Sequence, residues 1–461
     1  MMRAFGLQEL ARVVGAEAPT SDVMVQRIVT DTRNLQQGDL FVALRGDRFD
    51  GHGFLGAASK AGAVAAIVDK ADPGVALPQL VVDDTVQALA DLARFNREQS
   101  AAAVVAITGS SGKTTLKEML SAILANEGET LATSGNLNNH IGAPLTLFRL
   151  APEHRFAVIE LGASGLGEIA HTVAAARPDV AVITNAGEAH LEGVGSYQNI
   201  VQAKGEIIDG VPEAGSVVLN FDDPAFTVWK QRATNRKVIS VSAKGGQADY
   251  RCAGFEAFDG GYRVKVAISD GRECELMVNL PGEHNIANAL LAMAAAEALG
   301  AREAAVRNGL ASVKPAAGRL ERKVLSNQVT VIDDSYNANP SSMKAALEVL
   351  ASASGTRAGL LGAMAELGAD SAKLHQEVGA HAQALGIEKL LVVGNGEGCE
   401  ALVSGYGNMA RRFDTHEQAV DWLLKDITGP VTILVKGSRS SAMDQAVRLL
   451  QEKVGNSCCS G

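Results

Sequence analysis

The sequence is short of positive charge, aromatic residues, cysteine and long apolar runs, and each shortage closes off a class of protein. Its 461 residues carry 42 Lys and Arg against 52 Asp and Glu, a net charge of −10, so no overall basic field draws the chain to nucleic acid or to an anionic membrane. A local basic pocket for a small anion stays open to it. Aromatic residues make up 4% of the chain beside 48 glycines, which implies tight turns and a core of small side chains. Cys252, Cys274 and Cys399 are isolated, and Cys458 and Cys459 adjoin in a polar tail; these spacings fit neither a disulfide framework nor a zinc site. The tail ends Cys-Cys-Ser-Gly, with a Cys at the prenylation position but no aliphatic residues after it, and a frayed end is the simpler reading. No run of about 18 apolar residues occurs, and Glu9 and Arg12 interrupt the apolar spacing of residues 1–15. Neither a membrane-spanning helix nor a secretory leader is expected, and an amphipathic helix in a soluble cytoplasmic protein is the default.

What is present is ordinary for a folded protein: 47% apolar and 20% charged residues exclude disorder, collagen and coiled coil. At roughly 100–200 residues per domain the length suggests about three domains. Residues 1–85 hold short strand-like runs, Leu40 to Leu44, Ala63 to Val68 and Leu80 to Val82, between polar and glycine-rich loops, a small mixed α/β unit. A helical period through Val86, Leu89, Ala90, Leu92, Ala93 and Phe95 predicts a bridging helix over 85–99. Residues 86–315 alternate apolar runs at 104–107, 156–161, 180–183, 217–219 and 238–241 with helical patterns, which predicts a parallel sheet covered on both faces. Within it, Tyr262, Val264, Val266 and Ile268 alternate with other residues and predict an antiparallel hairpin over 250–279, followed by a helix over 285–299. Lys314-Pro315-Ala316-Ala317-Gly318 marks a boundary. Residues 316–461 repeat the α/β texture with strands at 329–332, 358–361, 389–393 and 431–435, a Rossmann-like open-sheet domain. The predicted architecture is therefore α/β in three domains, the central one a parallel-sheet, phosphate-loop ATPase fold.

The chemistry concentrates in Thr108-Gly109-Ser110-Ser111-Gly112-Lys113-Thr114-Thr115, which follows an apolar strand and precedes a helix expected to begin near Thr115. Backbone N–H groups at such a turn and the positive end of the helix bind phosphates. Lys113 then reaches the outer phosphates and Thr114 offers its hydroxyl to magnesium. The first glycine of the full phosphate-loop pattern would fall at Ile107, so the loop is a shortened one. Ala157-Val158-Ile159-Glu160 places Glu160 near the end of a neighbouring strand, where a metal-holding carboxylate belongs. His190 and Lys204 lie beyond the run at 180–183, near the carboxyl ends of parallel strands where open sheets place their ligands; spacing alone does not bring them to one cleft.

T-G-S-S-G-K-T-T, E-L-G-A-S, N-A-G-E-A-H-L-E, A-K-G-E-I and G-E-H-N-I-A-N-A-L follow one another as they do in the Mur ligases, which the chain resembles throughout its length. Asp31-Thr32-Arg33, Gly38 to Leu44, Gly46 to His52 and Val435-Lys436-Gly437-Ser438-Arg439 resemble the branch that adds D-alanyl-D-alanine to UDP-N-acetylmuramoyl-tripeptide, the last soluble nucleotide precursor step of peptidoglycan synthesis. The resemblance implies ATP and two Mg2+ ions, a monomer, and no nucleic-acid or membrane partner. It implies an N-terminal domain holding the UDP end of the substrate, with Thr32, Arg33, Arg45 and Gly46, and a C-terminal domain that closes on ATP and binds the incoming dipeptide. Gly109, Ser110, Ser111, Gly112, Lys113, Thr114 and Thr115 would bind ATP, with Asn288 at the adenine, Asp334 at the ribose and Arg319 at the terminal phosphate. Thr114, Glu160, His190 and Lys204 would serve the metals, Lys204 as a carbamate, an oxygen ligand suited to a hard cation. Lys113, Lys204, His190 and Arg319 would be the catalytic set. Asn138 and Asn139 would face the nucleotide sugar, although a polar loop without a role fits the same residues. Beyond Arg319 and Asp334, the resemblance assigns no role to Lys436 to Met443 or to the tail after Val454. A sister ligase adding a diamino acid or glutamate, and a phosphate-loop ATPase switch, stand as the alternatives.

Overall fold

The computed structural model describes residues 2–46, 49–188 and 191–457; His190 and the Cys458-Cys459 tail lie outside them. Near the N-terminus the amphipathic pattern yields a helix only over Leu7–Val13, because Phe5–Gly6 pairs as a strand with Met24–Val25. Four short parallel strands follow in the order Arg27–Val29, Asp39–Val42, Ala65–Val68 and Gln79–Val81. The bridging helix forms over Thr85–Glu98, started by Asp84, whose carboxylate accepts the N–H of Val86 and Gln87. It does not stand free between lobes: it packs on Glu168–Ala176. Through it the N-terminal residues and one face of the central sheet form one continuous apolar cluster.

The central sheet has nine strands. Ala103–Thr108 sits between Phe156–Glu160 and Val180–Ile183, parallel to both. Each of these three strands is apolar almost throughout because helices cover both faces. The expected hairpin is a three-stranded meander, Tyr250–Phe258, Gly261–Ile268 and Glu273–Val278, joined to the parallel part through Lys237–Ser242. The crossover leaving Ala103–Thr108 runs to one side of it and the later strands lie on the other. That reversal opens a crevice at the strands' carboxyl ends, where open sheets bind ligands.

Residues beyond 320 build a six-stranded sheet. The edge strand Glu321–Val324 is antiparallel to Val329–Asp334, and then Val431–Lys436, Thr356–Gly362, Lys389–Val393 and Arg411–Phe413 continue in parallel. Two separate apolar clusters flank it. Its carboxyl edge faces that of the central sheet across a cavity of about 940 Å³. No helix among the described residues is long and apolar enough to cross a membrane.

Candidate active site

At the end of Ala103–Thr108 the chain turns through residues 109–112 into the helix Lys113–Ala125, which begins two residues before the expected start. Glycine is required twice. Gly109 has φ of 149° and a Cβ there would meet Thr184 Oγ1 at 1.8 Å, while Gly112 has φ of 80° and a Cβ would meet Asn288 Oδ1 at 2.8 Å. The neighbouring strand end clamps the turn: the Ser111 N–H donates to Asn185 Oδ1 (3.0 Å), and Thr184 Oγ1 donates to the Ser111 carbonyl (2.6 Å). Lys113 Nζ donates to the Gly109 carbonyl (2.7 Å). Burial in the cleft pulls its pKa down, Glu160 opposes this, and the Arg319 charge lowers it further.

Glu160 is buried, and its backbone N–H is held by Thr133 Oγ1 (3.0 Å). Its carboxylate accepts Thr114 Oγ1–H at 3.0 Å and Asn138 Nδ2–H at 2.8 Å. A hydroxyl and a carboxylate beside a phosphate-binding turn are hard oxygen donors, and this set fits magnesium. Among the described residues no group of three or more His, Cys, Asp or Glu forms a metal cluster by itself.

Lys204 lies within the helix Tyr197–Asp209, which Ser196 starts by accepting the Asn199 N–H. It is 4% exposed. Burial first and the charge of Lys113 second bring its pKa down to about 7, against the pull of Glu168 and Glu206. The two lysines repel because they share one end of the sheet.

The opposite wall comes from the C-terminal sheet. Asp334 ends Val329–Asp334, pairs with Lys436 Nζ at 2.6 Å and accepts the Leu320 N–H at 3.1 Å. Burial raises its pKa and Lys436 opposes that. Lys436 Nζ also donates to the Asn337 carbonyl (2.8 Å). The Arg319 guanidinium stacks on the Tyr336 ring at 4.2 Å, and Arg439 lies 5.9 Å from the same ring. Lys113, Glu160, Asn288, Arg319, Asp334 and Arg439 thus line one cavity.

Asn288 is neither a cap nor a surface residue. It is buried inside His284–Ala298, its amide donates to Asn285 Oδ1 (2.9 Å), and its own carbonyl oxygen abuts Gly112. Asn138 turns toward Glu160, whereas Asn139 Oδ1 accepts the N–H groups of Ile141 and Gly142 and shapes the start of the next helix. Thr32, Arg33, Arg45 and Gly46 do not reach this cavity. Arg33 is largely exposed and pairs with Asp31, and Arg45 pairs with Asp69 (2.9 Å) beside the ribbon Arg45–Gly46 and Phe49–Asp50. Sequence reasoning passed over Asn185, Tyr336, Lys436 and Asn339. Each sits inside a segment already singled out, Asn185, Tyr336 and Asn339 two to five residues from a chosen position and Lys436 in a segment to which no role was given, but only the fold shows which of those side chains turn inward.

Three family models match the chain: Mur ligase family, catalytic domain, over residues 25–97; Mur ligase middle domain over 107–296; and Mur ligase, glutamate ligase domain, over 318–439. A UDP-N-acetylmuramoyl-tripeptide–D-alanyl-D-alanine ligase of Escherichia coli (strain K12) is 43% identical over 97% of this chain and 98% of its own length. The crystal structure of MurF from Acinetobacter baumannii superposes with a TM-score of 0.92 at 34% identity, covering 98% of this chain and 99% of that one. MurF ligase from Thermotoga maritima in complex with ADP gives 0.85 at 28% identity over 94% and 99%.

Proposed function

The chain belongs to the Mur ligase family, and from that premise we propose that it joins D-alanyl-D-alanine to UDP-N-acetylmuramoyl-tripeptide, converting ATP to ADP and phosphate in peptidoglycan synthesis. The observation that carries this reading is the cavity where Lys113, Thr114 and Glu160 of the central lobe face Arg319 and Asp334 of the C-terminal lobe. Each wall holds cationic groups, in a protein whose net charge is −10.

The peptide carboxylate is a poor electrophile and must first be activated. One of its oxygens attacks the γ-phosphorus of ATP, the bond to the β-phosphate oxygen breaks, and ADP leaves an acyl phosphate behind. The dipeptide amine then attacks the acyl carbon, the C–N bond forms, inorganic phosphate departs and the amine loses a proton. The turn 109–112 cradles the phosphates with backbone N–H groups, and we assign Lys113 and Arg319 to the charge that builds on the transferring group. Asn288 supports the turn from below and is assigned to the adenine side, with Asp334 at the ribose. Thr114, Glu160 and a carbamylated Lys204 are the residues that would hold magnesium, together with His190. Bound there, the metal would neutralise phosphate charge and orient the triphosphate. We assign the UDP end to the N-terminal lobe, around Thr32, Arg33, Arg45 and Gly46, and the reaction to the cytoplasm, where ATP is supplied.

Phosphate release is the direct test, with the UDP-tripeptide and D-alanyl-D-alanine, a diamino acid or glutamate supplied separately and the product weighed by mass spectrometry. Pentapeptide formed only with the dipeptide is the expected result. Release without any amine would instead favour an ATPase switch, and product with another amine a sister ligase. Lys113→Ala should lower turnover at least about a hundredfold; near-normal turnover would remove the turn's lysine from the mechanism.

A further inference from the structure

The segment Lys436-Gly437-Ser438-Arg439-Ser440-Ser441 leaves the carboxyl end of Val431–Lys436, a strand flanked by Val329–Asp334 and Thr356–Gly362. The loops after all three strands meet at the cavity, and their cations are not equivalent. Lys436 is neutralised by Asp334 and bound to the Asn337 carbonyl. Arg319 stacks closely on Tyr336 and acts on Lys113 across the cleft, so it belongs to the phosphate side. Arg439 is exposed, lies farther from the same ring, and among the described residues its guanidinium has no carboxylate partner. Its backbone, in contrast, is fixed: the Arg439 N–H donates to Asn337 Oδ1 (3.3 Å), the buried Ser438 has its N–H on the Ala363 carbonyl (3.0 Å), and the Ser438 and Ser440 hydroxyls share a hydrogen bond of 3.0 Å. The loop is built rigidly and leaves one planar cation uncompensated on the cavity wall.

The substrates present one charge that the proposed machinery leaves unmatched. ATP and the activated acyl group are served by the turn, Lys113 and Arg319. The dipeptide enters with its amine toward the acyl carbon, and its terminal carboxylate then lies about 7 Å away along an extended two-residue chain. A carboxylate held in a partly enclosed cleft calls for a fork of N–H donors, and guanidinium supplies that fork in plane. Resting on the ligase reading above, we propose that Arg439, with the Ser438–Ser440 hydroxyl pair beside it, receives the terminal carboxylate of the incoming dipeptide and thereby selects an amine substrate that ends in a free acid.

The test compares D-alanyl-D-alanine with its C-terminal amide, in the unaltered enzyme and in Arg439→Ala and Arg439→Lys, by initial rates with each substrate varied. In the unaltered enzyme the amide should show a KM raised roughly 10- to 100-fold. Arg439→Ala should raise the dipeptide KM by a similar factor, change the KM for ATP and UDP-tripeptide less than about threefold, and no longer distinguish acid from amide. Arg439→Lys keeps the charge but not the fork and should fall between. If Arg439→Ala still prefers the acid as strongly as the unaltered enzyme, or if only its KM for ATP rises, the assignment is wrong. Failure of the unaltered enzyme to form any dipeptide product would overturn the ligase reading itself, which is a different outcome.

Discussion

A buried lysine whose pKa is brought down to about 7 holds part of its amine in the neutral form that attacks carbon dioxide, and the carbamate proposed for Lys204 draws on that form. Burial and Lys113 remove the reason to hold the proton, and Glu168 and Glu206 restore only part of it. The free amine fraction falls as pH drops through about 7, so carbamate formation, and with it turnover, should fall on the acid side. Lys204→Ala should lose activity and recover part of it with a small added carboxylate; full activity without rescue would end the carbamate role. The same shift has a stability sign. An unfolded lysine keeps its proton up to about 10.4, so between pH 7 and 10 the unfolded chain binds more protons and stability rises with pH. Below about 7 the penalty is at its full size, of the order of 4–5 kcal/mol for a shift this large. In carbonate-free buffer at pH 7, Lys204→Met should therefore raise Tm while abolishing turnover, a trade of stability for function. A lower Tm would mean that the lysine's apolar stem, and not its charge, dominates the site. The chain singled out this residue; its depressed pKa was not legible, because nothing local announces its burial or the nearby charge of Lys113.

At the scale of single elements the helix Pro340–Ala351 links the lobes. Asn339 caps it, with Oδ1 accepting the Ser342 N–H at 2.8 Å and the Ser342 hydroxyl returning to the Asn339 N–H at 3.0 Å. The same side chain turns its Nδ2 toward the Ser110 carbonyl of the phosphate-binding turn (3.4 Å). One asparagine thus starts a helix of one lobe and touches the nucleotide loop of the other. Asn339→Ser retains the cap but lacks the second donor, so Tm should stay within a degree or two while kcat drops a few-fold. Asn339→Ala removes both functions and should cost a further ~1 kcal/mol of stability. Equal kcat losses that follow Tm in the two variants would reduce Asn339 to a cap. Most elements could be read from apolar runs and period: the strands at 103–108, 156–160 and 180–183 and the helix 85–98 fall within a residue or two of expectation. The departures have local causes. Strand pairing claims Phe5–Gly6 from the first helix, and Glu273–Val278 adds a third strand to the expected hairpin.

In the whole molecule the apolar clusters divide unevenly. Residues from Met2 to Ala233 share one cluster across the N-terminal and central sheets, while the C-terminal sheet keeps its own two. Among the described residues the hydrogen bonds and ion pairs that join that lobe to the rest include Arg322 with Asp259 at 2.8 Å, the Glu192 N–H on the Glu366 carbonyl at 3.1 Å, and Asn339 at the turn. Such an interface permits motion between units whose interiors are independent. Alternating α/β texture made the three sheets readable, but the sharing of one core by the first two depends on how Thr85–Glu98 lies over Glu168–Ala176, a tertiary fact with no sequence period of its own. Calorimetry should accordingly resolve two unfolding transitions, one for the fused N-terminal and central lobes and one for the C-terminal lobe. A non-hydrolysable ATP analogue with magnesium should raise both, since the proposed site takes it from both walls. In Arg319→Ala the C-terminal transition should lose most of its nucleotide-dependent shift while the other keeps its own. Were the unaltered chain to unfold in a single transition, and Arg319→Ala to respond to nucleotide as the unaltered chain does, the lobes would be one cooperative unit, and closure on ATP could not be what brings Arg319 to the phosphates.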